Sequence, residues 1–336
     1  MKLKPPDMLI WILTGRCNLS CSHCYASRFR GLKELSTPEA LRVLREAWEL
    51  GVDYVSFTGG EPLLRPDIFE LLGEAFNLGM AMSLVSNGLT LQRETVQKLA
   101  RLEVHVFLSV DGARETHELL RGPETWRKTV EAGGNLKAEG VSFSTVTVLA
   151  KETLKALNGG VEFARRFDAE SACIIPVIPS GKASALSLPS PEEAAHALQG
   201  FVEEARRVGV PAEIWCAPFA RLYVKPSQAA VYRCRTSRIV DLDVEGKMLL
   251  CDVLDFRLAD VLEAGFKKAW ETYLEHPIRR SLEKPVTEEP CRSCPLQSWC
   301  MGGCYARAFL ELGSLYKPDP LCLRMVRAEK LQPTTL

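Results

Sequence analysis

The chain has 336 residues with 42 basic and 42 acidic side chains, and it is 46% hydrophobic, 25% charged and 8% aromatic. This is the balance of an ordinary globular protein of about two domains, and it excludes a disordered chain or a small peptide-like scaffold. A formal charge of zero argues against a protein built to hold nucleic acid, which needs a basic face. The longest apolar run near the start, Met8 to Leu13, follows Pro5, Pro6 and Asp7. It is too short for a membrane span or a signal-peptide core, so a cytoplasmic protein without a membrane partner is expected.

Short β-branched runs predict strands at about 8–14, 53–58, 81–86, 104–110, 142–148 and 171–176,. Helical patterns lie between them at about 37–50, 66–79, 91–102, 123–139 and 151–167. The first opens on Thr37-Pro38-Glu39, an N-cap followed by an N1 proline, and closes at Gly51,. Repeated βα units joined by right-handed crossovers give a parallel sheet, and six units suit a partial barrel better than a full eight-stranded one. The expected fold is therefore α/β, a partial (β/α)6 TIM-like barrel over residues 1–208.

A Pro/Ser/Gly-rich link at 177–190 and a helix at 191–208 precede an expected linker at 209–233,. Asp243-Val244-Glu245-Gly246 between two short apolar runs predicts a hairpin, and 259–275 a helix,. The remainder of 234–336 is short, Cys-punctuated loop and helix, a small α+β unit that metal ligation would have to hold together.

Twelve cysteines in a chain with no export signal read as metal ligands rather than disulfides,. Cys17, Cys21 and Cys24 form a C-x3-C-x2-C loop directly after the first strand. Three thiolates on one loop can grip three irons of a cubane cluster and leave the fourth without a protein ligand. Alone, the trio is also compatible with a structural zinc loop.

With Tyr25 after it, this loop resembles that of the radical S-adenosylmethionine (SAM) enzymes, and the next strand ends in Gly59-Gly60-Glu61-Pro62, which resembles that family's GGEP segment. The resemblance implies a [4Fe-4S] cluster on Cys17, Cys21 and Cys24, whose open iron binds SAM. One-electron reduction, from a donor such as ferredoxin or flavodoxin, would then cleave SAM to a 5′-deoxyadenosyl radical. It implies that Gly59, Gly60 and Glu61 hold the methionyl amino group. Ser86, Asn87, Ser109 and Asp111, at the carboxyl ends of the third and fourth strands, become candidates for the SAM carboxylate and ribose. Arg121 is a cationic donor to that carboxylate or a solvated surface residue. Tyr25 and His23 belong to the same loop, His23 through its backbone beside the adenine. Ser144, Thr145 and Thr147 on the fifth strand are placed only so far that Thr145 and Thr147 share a face.

A second pattern, Cys234, Cys251, Cys291, Cys294, Cys300, Cys304 and Cys322, is too many thiolates for one zinc and one short of filling two four-iron clusters. It resembles the SPASM extension of radical SAM enzymes that act largely on peptides and proteins. That resemblance implies two auxiliary iron–sulfur clusters, an outer one on Cys291, Cys294, Cys300 and Cys322 and an inner one on Cys234, Cys251 and Cys304. The inner cluster's fourth position is open between Cys216, a non-cysteine ligand and none. Cys173 is expected in the core. Asp252, beside Cys251, matches an acid that serves as a base in sulfatase-maturing relatives, with an exposed hairpin-end aspartate as the alternative.

The expectation is a radical SAM oxidoreductase that modifies a peptide or protein side chain. The alternatives are a tetrapyrrole side chain in heme-type cofactor assembly, to which Ile10-Trp11-Ile12-Leu13-Thr14 bears a resemblance, and a non-catalytic metal scaffold.

Overall fold

In the computed structural model, which describes residues 3–235 and 238–329, Met8–Thr14 forms β1, an interior strand of the sheet. Tyr54–Gly59 (β2), Ala81–Ser86 (β3), His105–Ser109 (β4), Phe143–Leu149 (β5) and Ser171–Pro176 (β6) follow in parallel, each paired with the strand before it. Helices Thr37–Leu50 (α1), Ile68–Asn77 (α2), Arg93–Arg101 (α3), Arg114–Arg121 (α4), Thr125–Ala138 (α5), Asn158–Phe167 (α6) and Pro191–Val208 (α7) make the crossovers and the last outer helix. In α1, Glu39 Oε2 accepts from Ser36 N–H at 2.8 Å, and Gly51 ends the helix at φ 107°,.

Alternation along each strand separates two environments. On β4, Val106 and Leu108 are fully buried against the outer helices, whereas His105, Phe107 and Ser109 are half-buried and face the inside of the barrel,. Leu9, Trp11 and Leu13 of β1 likewise belong to the helix-side core. Among the inward side chains Phe107, Ser109, Val146, Val148 and Ile175 are half-buried, whereas Ser83, Ser144 and Cys173 are buried.

The expected linker is part of the sheet. Ala212–Ile214 (β7) pairs with β6 and Ala230–Val231 (β8) pairs with β7, both in parallel. At the other edge Ile239–Leu242 (β9) lies parallel to β1, and Lys247–Leu249 (β10) and Arg257–Asp260 (β11) continue antiparallel. The result is one 11-stranded sheet in the order β11-β10-β9-β1-β2-β3-β4-β5-β6-β7-β8. The span 259–275, expected as one helix, is the end of β11 followed by helices Val261–Ala264 and Phe266–Glu275, broken at Gly265.

The Cys-rich segment is clamped onto β6 by a buried ion pair. Arg307 and Asp319 have fully buried side chains 2.6 Å apart, and Arg307 also donates to the carbonyls of Pro176 at 3.0 Å and Val177 at 3.1 Å. Asp319 accepts the Cys304 N–H at 2.9 Å. No helix among the described residues is long and apolar enough to cross a membrane.

Candidate functional site

The carboxyl ends of β1 to β4 converge on the first cysteine loop. Gly60 N–H donates to Thr14 O and Glu61 N–H to Arg16 O, each at 2.7 Å, which lays the Gly-Gly turn against the chain entering Cys17. The approach demands glycine: a Cβ on Gly60 would lie 2.0 Å from Arg16 O, and Gly59, at φ 131°, would put one 2.4 Å from Thr14 O,. Glu61 is fully buried and accepts from Asn87 N–H at 2.8 Å and from Ser86 Oγ at 3.1 Å. Burial pushes its carboxyl up to about 7 despite those bonds and the field of Arg121,. Asn87 Nδ2 donates to Asn18 Oδ1 at 2.8 Å and reaches Cys17 Sγ at 3.8 Å. Glu61, Ser86, Asn87 and Cys17 thus share one corner.

The other side of the loop rests on α4. Leu120 O accepts the Ser22 N–H at 2.9 Å, and Arg121 is buried, its Nε 2.6 Å from Asp111 Oδ2. Arg121 is therefore not a surface residue. His23 Nε2 lies 3.2 Å from Asp111 Oδ2 and 3.3 Å from Arg121 Nη2, so its side chain, and not only its backbone, belongs to this group. Burial tends to raise Asp111, but Arg121, His23 and His117 hold its carboxyl down at about 2. Burial and Arg121 depress His23 to about 4 against the pull of Asp111, so it is neutral near pH 7. Asp111 Oδ1 also accepts the Val148 N–H at 3.0 Å. Ser109 is half-buried at the end of β4, facing the lumen. Thr145 and Thr147 point the other way, donating to Gly160 O and Val110 O.

Tyr25 connects this centre to the hairpin. Its hydroxyl hydrogen-bonds both Thr58 and Asp252, and Arg28 Nη2 donates to the carbonyls of Asp252 at 2.9 Å and Leu254 at 2.6 Å. Asp252 N–H donates to Asp241 Oδ2 at 3.0 Å, and Cys251 Sγ lies 3.6 Å from Asp252 Oδ1. Burial raises both carboxyls, and the charge of Asp252 raises Asp241 further, while hydrogen bonds from Tyr25 and Cys251 and the field of Arg28 oppose the rise at Asp252,. Asp252 is therefore not an exposed hairpin-end residue. Asp241, whose Oδ1 is buried without a hydrogen-bond partner, is a member of the site that no motif announced.

The C-terminal cysteines fall into two groups. Cys291, Cys294, Cys300 and Cys322 line one small cavity, about 20 Å³, together with Phe219 and Leu222. Cys216, Cys234, Cys251 and Cys304 form the second. Burial raises the thiols of Cys216, Cys234 and Cys251, and each rises further from the neighbouring Cys304. Cys216 thus stands with the inner three. Thiolates around a tetrahedral zinc stand about 3.8 Å apart, yet among the described residues no three cysteine thiols lie within 4.8 Å of one another. That spacing is wider than the ligand set of a single zinc ion,. Arg235 agrees with an anionic occupant: it is 3% exposed, its Nε and Nη1 lack hydrogen-bond partners, and Cys234, Cys304 and Cys300 all bear on its charge.

Below these groups one carboxylate, Glu213, stands in the barrel lumen near Trp215, whose ring packs on Phe107. One register row joins Ser109, Val146, Cys173 and Glu213 across β4 to β7. Cys173 is fully buried, as expected, and lies on this inner face in contact with Ser171 Oγ at 3.6 Å. Glu213 accepts from Ser171 Oγ at 2.9 Å and Trp215 Nε1 at 3.1 Å. No lysine or arginine forms an ion pair with Glu213 among the described residues.

Residues 11–164 match the family model described as the Radical SAM superfamily. Curated relatives include the mycofactocin maturase MftC of Mycobacterium ulcerans, 30% identical over 334 residues that cover 96% of this chain and 89% of the relative. They also include the AdoMet-dependent heme synthase of Methanosarcina barkeri, 26% identical over 95% of this chain and 96% of the relative. Among solved structures, Streptococcus suis SuiB bound to its precursor peptide SuiA superposes with a TM-score of 0.79 at 18% identity, covering 96% of this chain and 76% of that one. Native anSMEcpe with bound AdoMet and Cp18Cys peptide gives 0.76 at 20% identity, covering 97% and 96%. At those identities the structural likeness is one of fold.

Proposed function

The chain belongs to the radical SAM superfamily, and from that premise we propose that it oxidises a peptide or protein side chain, making a cross-link, a carbon–carbon bond or an oxidised residue. The observation that carries this reading is the position of Asp252, hydrogen-bonded to Tyr25 of the first cysteine loop on one side and to Cys251 of the inner cysteine group on the other. A carboxylate between a radical source and an electron acceptor is placed to take the proton that an oxidation releases.

When bound, SAM and a [4Fe-4S] cluster supply, after one-electron reduction, a 5′-deoxyadenosyl radical that abstracts hydrogen. Cys17, Cys21 and Cys24 are assigned to that cluster. Glu61 accepts from the methionyl amino group, and Ser86, Asn87 and Ser109 offer polar contacts to the remainder of SAM. Asp111 orients Arg121, which keeps further N–H donors for the SAM carboxylate. Cys291, Cys294, Cys300 and Cys322 are assigned to the outer auxiliary cluster. Cys234, Cys251 and Cys304, with Cys216 as the fourth ligand, are assigned to the inner one, which would supply an electron acceptor. Residues 1–208 are assigned to radical generation and 234–336 to the auxiliary groups, with 209–233 contributing β7, β8 and Cys216 between them.

The lumen carboxylate supports a peptide over a tetrapyrrole, because Glu213 would face the anionic propionates that a tetrapyrrole carries. The test is mass spectrometry of candidate peptides and of Fe-coproporphyrin III after incubation with SAM and the dithionite-reduced enzyme. Loss of hydrogen from a peptide, stoichiometric with deoxyadenosine, is expected. Decarboxylation of the porphyrin with no peptide change would transfer the assignment to the heme-synthase reading.

A further inference from the structure

We propose that the basic rim around the first cysteine loop is the docking face for an acidic one-electron carrier protein. The inference rests on the radical SAM reading above. It begins with a local departure from the chain's neutrality: residues 15–33 contain Arg16, Arg28, Arg30 and Lys33 and no acidic residue.

The structure turns most of that charge outward. A cleft of about 520 Å³ is lined by Gly15, Arg16, Cys17, Arg30, Lys33 and Glu34, with Gly31 and Leu32 between. Arg16, Arg30 and Lys33 are exposed, and the Arg16 side chain is 63% accessible. The carboxylate of Glu34 is already engaged, accepting from Thr14 Oγ1 at 2.6 Å and Gly15 N–H at 3.1 Å, with Arg16 3.7 Å away. Lys182 adds a fourth cation at the same loop, its Nζ 2.5 Å from Ser20 Oγ, and Arg30 donates to Leu19 O. Neither Arg30, Lys33 nor Lys182 has a carboxylate within 4 Å among the described residues.

Position gives this charge its meaning. Cys17 opens into the cleft and is half-exposed, whereas Cys21 is buried behind it. An electron entering from outside reaches the three-cysteine group most directly at Cys17. Uncompensated cations around that opening attract and orient an acidic partner and raise its on-rate by about 10–10³-fold at low salt. In the transfer the carrier is oxidised by one electron and the iron–sulfur group is reduced by one; no atom changes place.

The test compares wild-type holoenzyme with Arg16→Glu/Lys33→Glu and with the milder Arg16→Gln/Lys33→Gln, using flavodoxin as the probe. Biolayer interferometry should show flavodoxin binding that weakens with ionic strength, falls about tenfold or more in the Glu variant, and falls by less in the Gln variant. Deoxyadenosine formation driven by reduced flavodoxin should fall in step, while that driven by dithionite is unchanged. Equal flavodoxin binding by all three proteins would overturn the proposal. So would an oligonucleotide that binds the rim and displaces flavodoxin only as a general polyanion, with no loss of flavodoxin-driven turnover in the variants. Absence of dithionite-driven cleavage in the wild type would count against the radical reading itself, and the binding series would still decide the docking face.

Discussion

Acidification from pH 8 to pH 6 should weaken SAM binding through one carboxyl group, Glu61. Its side chain is fully buried, and desolvation raises it to about 7 against the hydrogen bonds from Asn87, Leu63 and Ser86. Only the ionised form is a full acceptor for the ligand's amino group. With that midpoint the carboxyl is about nine-tenths ionised at pH 8 and one-tenth at pH 6, a loss of about tenfold in affinity, or about 1.4 kcal/mol. The sign for folding is opposite. An acid whose folded pKa lies above its unfolded value binds protons more readily when folded. Its full stability is therefore present below about 4.5, and about 3 kcal/mol is lost as pH rises to about 7,. Isothermal titration calorimetry of SAM with the unreduced holoenzyme measures the effect, and Glu61→Gln supplies the control. The ligand's own amine titrates equally against both proteins, so the wild type should show about a tenfold larger pH effect than the variant. Equal pH slopes would refute the reasoning.

Replacing Cys17, Cys21 and Cys24 together with Ala should abolish deoxyadenosine formation while the C-terminal iron, measured by metal analysis, is retained. Asp252→Asn should leave deoxyadenosine formation intact and slow product formation by about 10²–10⁴-fold, read by product mass spectrometry. Equal product yield would remove Asp252 as the base. Arg307→Met should destabilise the chain by about 3–5 kcal/mol, because it leaves the Asp319 carboxylate buried alone, and Arg307→Met/Asp319→Leu should recover part of that loss in thermal denaturation,.

The six barrel strands were legible because each is a β-branched run that ends in a polar or glycine turn, and the ligand-facing residues are those same ends. β7 and β8 were not legible: three and two residues long, they carry too little periodicity to separate from a Pro-containing linker. Helix α4 escaped notice because it is short and half of its eight residues are charged, so the burial of Arg121 appeared only once Asp111 was brought beside it. Cys173 reads as core by composition, since strand alternation does not say which face is the lumen. Asp241 carries no local signal, and Cys216 stands out in the sequence only as one of three options for a fourth ligand. One joins the site through the β9–β10 hairpin and the other through the turn after β7, and only tertiary packing brings them to Cys251 and Cys304.

The most direct test of the central claim is the iron, sulfide and zinc content of anaerobically reconstituted protein, measured on the same sample as SAM cleavage by the dithionite-reduced enzyme. Three four-iron groups on the cysteines assigned above predict about 12 irons per chain, no zinc, and deoxyadenosine formation. About four irons with zinc in the C-terminal cysteines, or a folded, iron-loaded protein that leaves SAM intact, would contradict it.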